Sequence, residues 1–152
     1  MLRHPAHFLA FGGGVGLLRY GPGTAGTLLA LPLHWWLEPH FTAPVWLALL
    51  GGAFVLGIWA CGRTGRDLGI ADHGGMVWDE VVAFACLLFF TPRDIAWEAY
   101  AFVLFRLFDI FKPQPIRYYD RTLHGGFGVM FDDLLAAFYA LLVLAATRMV
   151  LT

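Results

Sequence analysis

The sequence predicts an all-α fold, a polytopic helical membrane bundle with four to five membrane-embedded helices, and three observations carry that expectation. The 152 residues are 59% hydrophobic with a mean hydropathy of +0.67. Only 14% are charged, against about 25% in ordinary soluble domains. The stretch 43–61 runs nineteen residues without a formal charge, the length that crosses a hydrocarbon core of about 30 Å. No linker-like stretch divides the chain, so residues 1–152 read as one domain.

Taken in order, the apolar segment 7–18 follows Arg3 and superficially resembles a secretion signal. It has no small-residue cleavage site and is interrupted by Gly12, Gly13, Gly14 and Gly16, so it is expected to remain in the mature protein. The segment 25–37 is a short span containing Pro32 and His34. The clearest span, 43–61, comes next. The segment 77–90 begins with Asp79 and Glu80, and 95–111 carries Glu98, Arg106 and Asp109. Polar spans of this kind are tolerated inside a bundle. The last span, 134–150, is interrupted by Arg148 near its end, where a long cation snorkels. The six tryptophans lie near proposed helix ends, as interfacial anchors do.

With five spans, Arg3, Arg19, Arg63, Arg66, Arg106, Lys112, Arg117 and Arg121 fall on one side and Arg93 and Arg148 on the other. The positive-inside rule makes the first side cytoplasmic. That places loops 62–76 and 112–133 inside and the C-terminus outside. The net charge of -1 gives no reason to expect a nucleic-acid partner. Cys61 and Cys86 lack metal-site or disulfide spacing and read as small buried hydrophobes.

The acids collect on the same side as the cations: Asp67, Asp72, Asp79, Glu80, Asp109, Asp120, Asp132 and Asp133. A solvated face accounts for such a collection, and so does a shared divalent metal with a phosphate. Asp79 and Glu80 open one apolar run and Asp132 and Asp133 another, positions that the helix dipole favours for anions. Neighbouring helix residues point about 100° apart, so each pair can send one carboxylate inward while the other caps or contacts a loop. Two such pairs suit one or two magnesium ions. Asp109 lies in a last turn, where the dipole disfavours it, and needs Arg106 or Lys112, three residues to either side. Pro113 and Pro115 then end the helix and aim Arg117. Arg106, Lys112 and Arg117 form either structural pairs or a phosphate clamp.

Two glycine-rich strings complete the set. In PGTAGT, 22–27, a turn enters an apolar helix, with Thr24 either capping that helix or binding an anion. In HGGFG, 124–128, glycines permit close approach of a ligand. His124 there is an acid–base candidate or an ordinary loop histidine. Gly51, Gly52 and Gly57 would let helices approach closely, within one chain or between two in a homo-oligomer.

The motifs PGTAGTL (22–28), DLGIADHGGMVWDE (67–80), FRLFDIFKPQPIRYYDR (105–121) and HGGFGVMFDD (124–133) together resemble the phosphatidylglycerophosphatase A family. The resemblance implies a helical membrane-bound phosphatase of the bacterial inner membrane, multi-pass, with its active site facing the cytoplasm. It implies magnesium dependence and conversion of phosphatidylglycerophosphate to phosphatidylglycerol and phosphate in phospholipid biosynthesis. On that basis Asp79, Glu80 and Asp109 are the expected catalytic residues, and His124 joins them as the acid–base candidate of its own loop. Arg106, Lys112 and Arg117 would bind the substrate phosphate, with Thr24 added as the anion-binding candidate of PGTAGT. Asp72, Asp79, Glu80, Asp132 and Asp133 would hold Mg2+. The lipid's acyl chains are expected beside Phe105 and Phe108. Ala83 and Ala137 stand where the family usually has glycine, changes that bear on helix packing.

Cys61 and Arg66 are separated by four residues, one fewer than in cysteine-dependent phosphatases, and no Asp-x-Asp-x-Thr motif occurs. Metal-assisted attack by water is the remaining route. A rival reading makes Arg106 and Asp109 the pathway of a small transporter or channel.

Overall fold

The computed structural model describes residues 5–17, 22–68, 77–111 and 125–151, and among these it is helical with no strand. The helices are α1 (Pro5–Ala10), α2 (Pro22–Leu37), α3 (Ala43–Leu68), α4 (Trp78–Phe89), α5 (Ile95–Phe111) and α6 (Gly125–Leu151). Short 3-10 turns, Gly12–Leu17 and Glu38–His40, flank α2. Gly12, Gly13 and Gly14 have φ of 61°, 71° and 110°, a left-handed turn that side chains with a Cβ resist.

At 1.5 Å per residue, the 26 residues of α3 and the 27 of α6 extend about 39 and 40 Å, longer than a bilayer core. Only 28% of the apolar stretch of α3 and 22% of that of α6 is buried. The core helix of a soluble domain would be mostly covered. Here Val55, Leu56, Leu142, Val143 and Met149 face outward, an apolar surface too extensive for a solvated monomer.

α4 is the central strut. It packs on α2, α3 and α6, and eight of its twelve residues are buried. Twelve residues rise only about 18 Å, so the expected span 77–90 is a core helix too short to reach from face to face by itself. Its core partners include Ala101, Phe105, Ala136, Ala140 and Leu144. The Phe84 and Phe105 rings lie 5.6 Å apart. Alanines at the crossings let backbones come close, which is how helices associate where lipid competes for apolar side chains. Gly57 serves the same end, because a Cβ there would stand 2.5 Å from Met130 and 2.8 Å from Trp78. Gly51 and Gly52 do not approach another helix of this chain, since a Cβ at either meets nothing within 4 Å.

Two helices begin or end differently from the expectation. α3 continues to Leu68, so Arg63 and Arg66 belong to its last turns and not to a loop. α6 begins at Gly125, so Gly125, Gly126 and Gly128 are helical. Asp132 and Asp133 therefore lie two turns inside α6 and not at its start, beyond the reach of the N-terminal dipole. Phe105 is fully buried in the core and is not a surface for acyl chains. Leu107, Ile110 and Phe111 are exposed apolar residues near the C-terminal end of α5.

Polar groups segregate to the two ends of the bundle. At one end, Arg93 pairs with Glu38 at 3.2 Å, and Trp35 donates from Nε1 to Glu98 at 2.6 Å. At the other, the C-termini of α3 and α5 meet the N-terminus of α4 and the first third of α6.

Candidate active site

The site is assembled from three helices. α4 presents Asp79 and Glu80 in its first turn, which no side chain caps. Its entry is fixed by the Val77 backbone N–H, which donates to the Ala10 carbonyl at 2.8 Å. Gly26 of α2 packs against Val77, where a Cβ would come within 2.7 Å of the Val77 Cβ. α1 and α2 thus hold the start of α4, and Thr24 lies half-buried in the first turn of α2, inside the helix and not at its cap. α5 contributes Arg106 and Asp109 from its last two turns, and α6 contributes Asp132 and Asp133.

These residues converge. Carboxylate oxygens of Asp79, Glu80 and Asp133 lie within 4.8 Å of one another, and so do those of Asp109, Asp132 and Asp133. Asp133 belongs to both sets and is within hydrogen-bonding reach of Asp79 and Asp109. Asp132 and Asp133 are both buried, with 4% and 3% of their surface exposed. This pair does not divide into one inward and one outward carboxylate: both are buried, with acids of α4 and α5 beside them.

Arg106 brings one positive charge to the five acids. Its Nη1 lies 2.6 Å from Asp109 and 3.6 Å from Glu80. Its Nε is buried without a hydrogen-bond partner among the described residues, as is Oδ2 of Asp133. Buried ionic groups are costly unless compensated. Among the described residues, Arg106 Nε thus meets no acceptor and Asp133 Oδ2 no donor.

A magnesium ion fits this donor set. Ligands on opposite sides of an octahedral ion with bonds of about 2.1 Å stand about 4.2 Å apart, close to the observed spread. All donors are carboxylate oxygens, the ligand type magnesium selects. Asp133 is common to both sets, so it would be a ligand whichever set held the ion.

Of the expected residues, the structure brings Asp79, Glu80, Arg106, Asp109, Asp132 and Asp133 together. Asp72, Lys112, Arg117 and His124 lie outside the described residues. Sequence reasoning did not single out a second network, in which Asp67 receives Arg63 Nε at 3.0 Å and contacts His7 Nε2 at 2.8 Å. That network ties α1 to α3. The i,i+4 spacing of Arg63 and Asp67 was its only sequence signal. It also missed Thr64, fully buried with an unpartnered hydroxyl among the described residues.

The sequence profile of the family described as phosphatidylglycerophosphatase A matches residues 8–148. A Haemophilus influenzae protein named phosphatidylglycerophosphatase A is 44% identical over 148 residues, covering 97% of this chain and 91% of the relative. An Escherichia coli protein of the same name is 40% identical over 136 residues, covering 89% and 78%. A Bacteroides thetaiotaomicron relative, 38% identical over 149 residues and covering 92% and 91%, is named provisionally as a phosphatidylinositol-3-phosphatase. No solved structure matches.

Proposed function

The chain belongs to the phosphatidylglycerophosphatase A family, and we propose that it is a magnesium-dependent, membrane-inserted phosphatase converting phosphatidylglycerophosphate to phosphatidylglycerol and inorganic phosphate. The carrying observation is Asp133, a buried carboxylate shared by two acid sets beside an arginine with an unused donor. Metal-assisted monoester hydrolysis draws on those two elements, a place for a divalent ion and a cation near the phosphoryl oxygens.

Asp79, Glu80 and Asp133 would hold magnesium, with Asp109 and Asp132 completing a second position and Asp72 adding a ligand. Bound there, the ion polarises phosphoryl oxygens and lowers the pKa of a water. Arg106, held at Nη1 by Asp109 and Glu80, turns Nε toward the phosphate. Asp109 is thus a positioning residue for Arg106. Lys112, Arg117 and Thr24 would complete the phosphate clamp. Glu80 or Asp79 accepts the proton of the attacking water. As the new P–O bond forms, the bond to the glycerol oxygen breaks, and that oxygen takes a proton from His124 to become the product hydroxyl.

α3 and α6 would cross the inner membrane, and the acid end would face the cytoplasm, the side where arginine and lysine are in excess. Substrate would then enter sideways from the inner leaflet. The transporter reading is not kept, because Arg106 and Asp109 belong to the acid cluster at one end of the bundle.

The test is phosphate release from phosphatidylglycerophosphate in mixed micelles, with magnesium or with a chelator, and with phosphatidylinositol 3-phosphate in parallel. Asp79→Asn should abolish release while preserving the helical spectrum. Magnesium-independent release, or full activity in that variant, would refute the metal-site assignment. Faster release from phosphatidylinositol 3-phosphate would refute the substrate assignment.

A further inference from the structure

The start of α4 is held by its neighbours and not by a cap. Val77, the residue before the helix, has φ and ψ of -117° and -5°, and no side chain caps the first turn. The Val77 backbone N–H donates to the Ala10 carbonyl of α1, and the Val77 carbonyl accepts from the backbone N–H groups of Glu80 and Val81, each at 3.1 Å. Those bonds, with Gly26 packed on Val77, fix where α4 begins. A single anchored point leaves a helix free to turn about its own axis. That rotation matters here, because Asp79 and Glu80 point about 100° and 200° around the helix from Trp78.

Trp78 supplies a second anchor, on α3. Its Nε1 donates to the Ala53 carbonyl at 3.0 Å. Ala53 lies inside α3, where its carbonyl also accepts from the backbone N–H four residues on, that of Gly57. A carbonyl has two lone pairs and takes both donors. The side chain of a helical residue covers the turn before it, so a side chain at position 57 would lie over this carbonyl. Gly57 leaves it open, and a Cβ there would stand 2.8 Å from Trp78 Cδ1, the carbon bonded to Nε1. An indole that only marks a membrane interface turns its N–H to the wet side. Trp78 is instead half-buried and packs against two core clusters, one containing Phe84 and Phe105 and the other Cys61 and Met130. Its donor is committed to the backbone of a neighbouring helix.

We propose that Trp78 is a positioning residue for the metal ligands, an anchor on α3 that sets the rotation of α4 so that Asp79 and Glu80 meet Asp133. The proposal rests on the metal-site reading of the acid cluster. Carboxylate oxygens of these three acids lie within 4.8 Å of one another, and when ionised without a cation they repel. That repulsion turns α4 away from α6 unless something resists it. At a radius of about 5–6 Å, a rotation of about 20° carries a carboxylate about 2 Å. Magnesium, with bonds of about 2.1 Å in near-ideal octahedral geometry, does not tolerate such a displacement. The Val77 contacts with α1 and α2 act at one point, and the indole bond to α3 adds the second point that stops the rotation.

The experiment compares Trp78→Phe, which keeps an aromatic ring and removes the donor, with Trp35→Phe, which removes an indole donor to Glu98 at the opposite end of the bundle. Detergent-purified full chains are titrated with magnesium chloride while thermal melting is followed, and hydrogen exchange over residues 79–82 is recorded in chelator. One net hydrogen bond corresponds to about three- to tenfold in an equilibrium. Half-saturation of the melting shift should therefore move to about three- to tenfold higher magnesium in Trp78→Phe, and exchange at Glu80 and Val81 should quicken by a similar factor. The magnesium needed for half-maximal phosphate release should rise in step, with KM for phosphatidylglycerophosphate unchanged, because Arg106 belongs to α5. Trp35→Phe should match the parent throughout. A tryptophan that served folding alone would lower the folded fraction and leave half-saturation where it was. Gly57→Ala keeps the indole and covers the Ala53 carbonyl, so it should reproduce the change, and it carries the test if Trp78→Phe does not fold. An unaltered half-saturation in folded Trp78→Phe overturns the proposal, and so does an equal shift in Trp35→Phe. A parent protein whose melting ignores magnesium overturns the metal-site reading itself, a failure seen before any variant is made.

Discussion

Replacing Asp133 with Asn tests the central electrostatic claim, because it keeps the side chain's shape and removes one charge. Asp133 is 3% exposed and lies within 4.8 Å of acids from α4, α5 and its own helix. At an effective dielectric constant near 20, two like charges at that distance repel by about 3.5 kcal/mol. Proton sharing and side-chain relaxation offset much of this, leaving a gain of about 1–3 kcal/mol for the neutral amide without metal. For a chain of this size, 1 kcal/mol moves Tm by about 2–4 °C. The variant should therefore melt about 2–12 °C higher than the parent in chelator. With magnesium the order changes: at a hundredfold excess over Kd the parent gains about 2.7 kcal/mol, and the variant, lacking the shared ligand, gains little. Phosphate release should fall by at least about a thousandfold. The assays are thermal melting of detergent-purified protein with and without magnesium, and phosphate release from phosphatidylglycerophosphate. A variant that melts lower in chelator, keeps the magnesium shift and turns over normally would refute the reasoning.

Arg106→Lys keeps the charge but loses the fork that contacts Asp109 and Glu80 while leaving Nε for substrate; kcat/KM should drop about 100-fold, measured by initial rates, with the melting curve within a few degrees of the parent. Asp132→Asn removes a member of one acid set and leaves the Asp79, Glu80 and Asp133 set whole, so a magnesium titration should show a requirement raised about 10- to 100-fold with residual activity above that of Asp133→Asn. Gly26→Ala forces a Cβ to within 2.7 Å of the β-branched Val77, which should destabilise by about 1–3 kcal/mol and reduce activity by shifting the start of α4. Gly51→Ala meets nothing within 4 Å and should be neutral or stabilising by about 0.5–1 kcal/mol; thermal melts of the pair decide it. Glu98→Gln, at the far end of the bundle, should change phosphate release less than twofold.

The sequence displayed the site's composition more fully than its geometry. Asp79 and Glu80 are legible because a carboxylate pair opening an apolar run announces a helix N-terminus, and α4 does begin at Trp78. Arg106 and Asp109 are legible because three residues of helix put them on one face, and they pair at 2.6 Å. Asp132 and Asp133 were assigned to a helix start because Gly125, Gly126 and Gly128 look like a loop. α6 nevertheless begins at Gly125, so these glycines are helical. Gly57 could not be told from Gly51 and Gly52 by sequence, since only the helix's rotation decides which of them meets Met130 and Trp78.

The corrected helix start strengthens the functional reading. At a helix N-terminus, Asp132 and Asp133 would have been explained in part by the dipole, whose effect fades beyond the first turn. Two turns inside α6, both buried, they gain nothing from that source. Consecutive residues point about 100° apart, so burying both requires polar partners on two sides of α6. The fold supplies more acids there, Asp79 from α4 and Asp109 from α5. Among the described residues Arg106 is the cation paired with these five carboxylates, and asparagines would fill the same space at lower electrostatic cost. A fold selected for stability alone would not place further anions around a buried pair. Such a gathering of buried acids is what the proposed divalent cation and phosphoryl group would compensate.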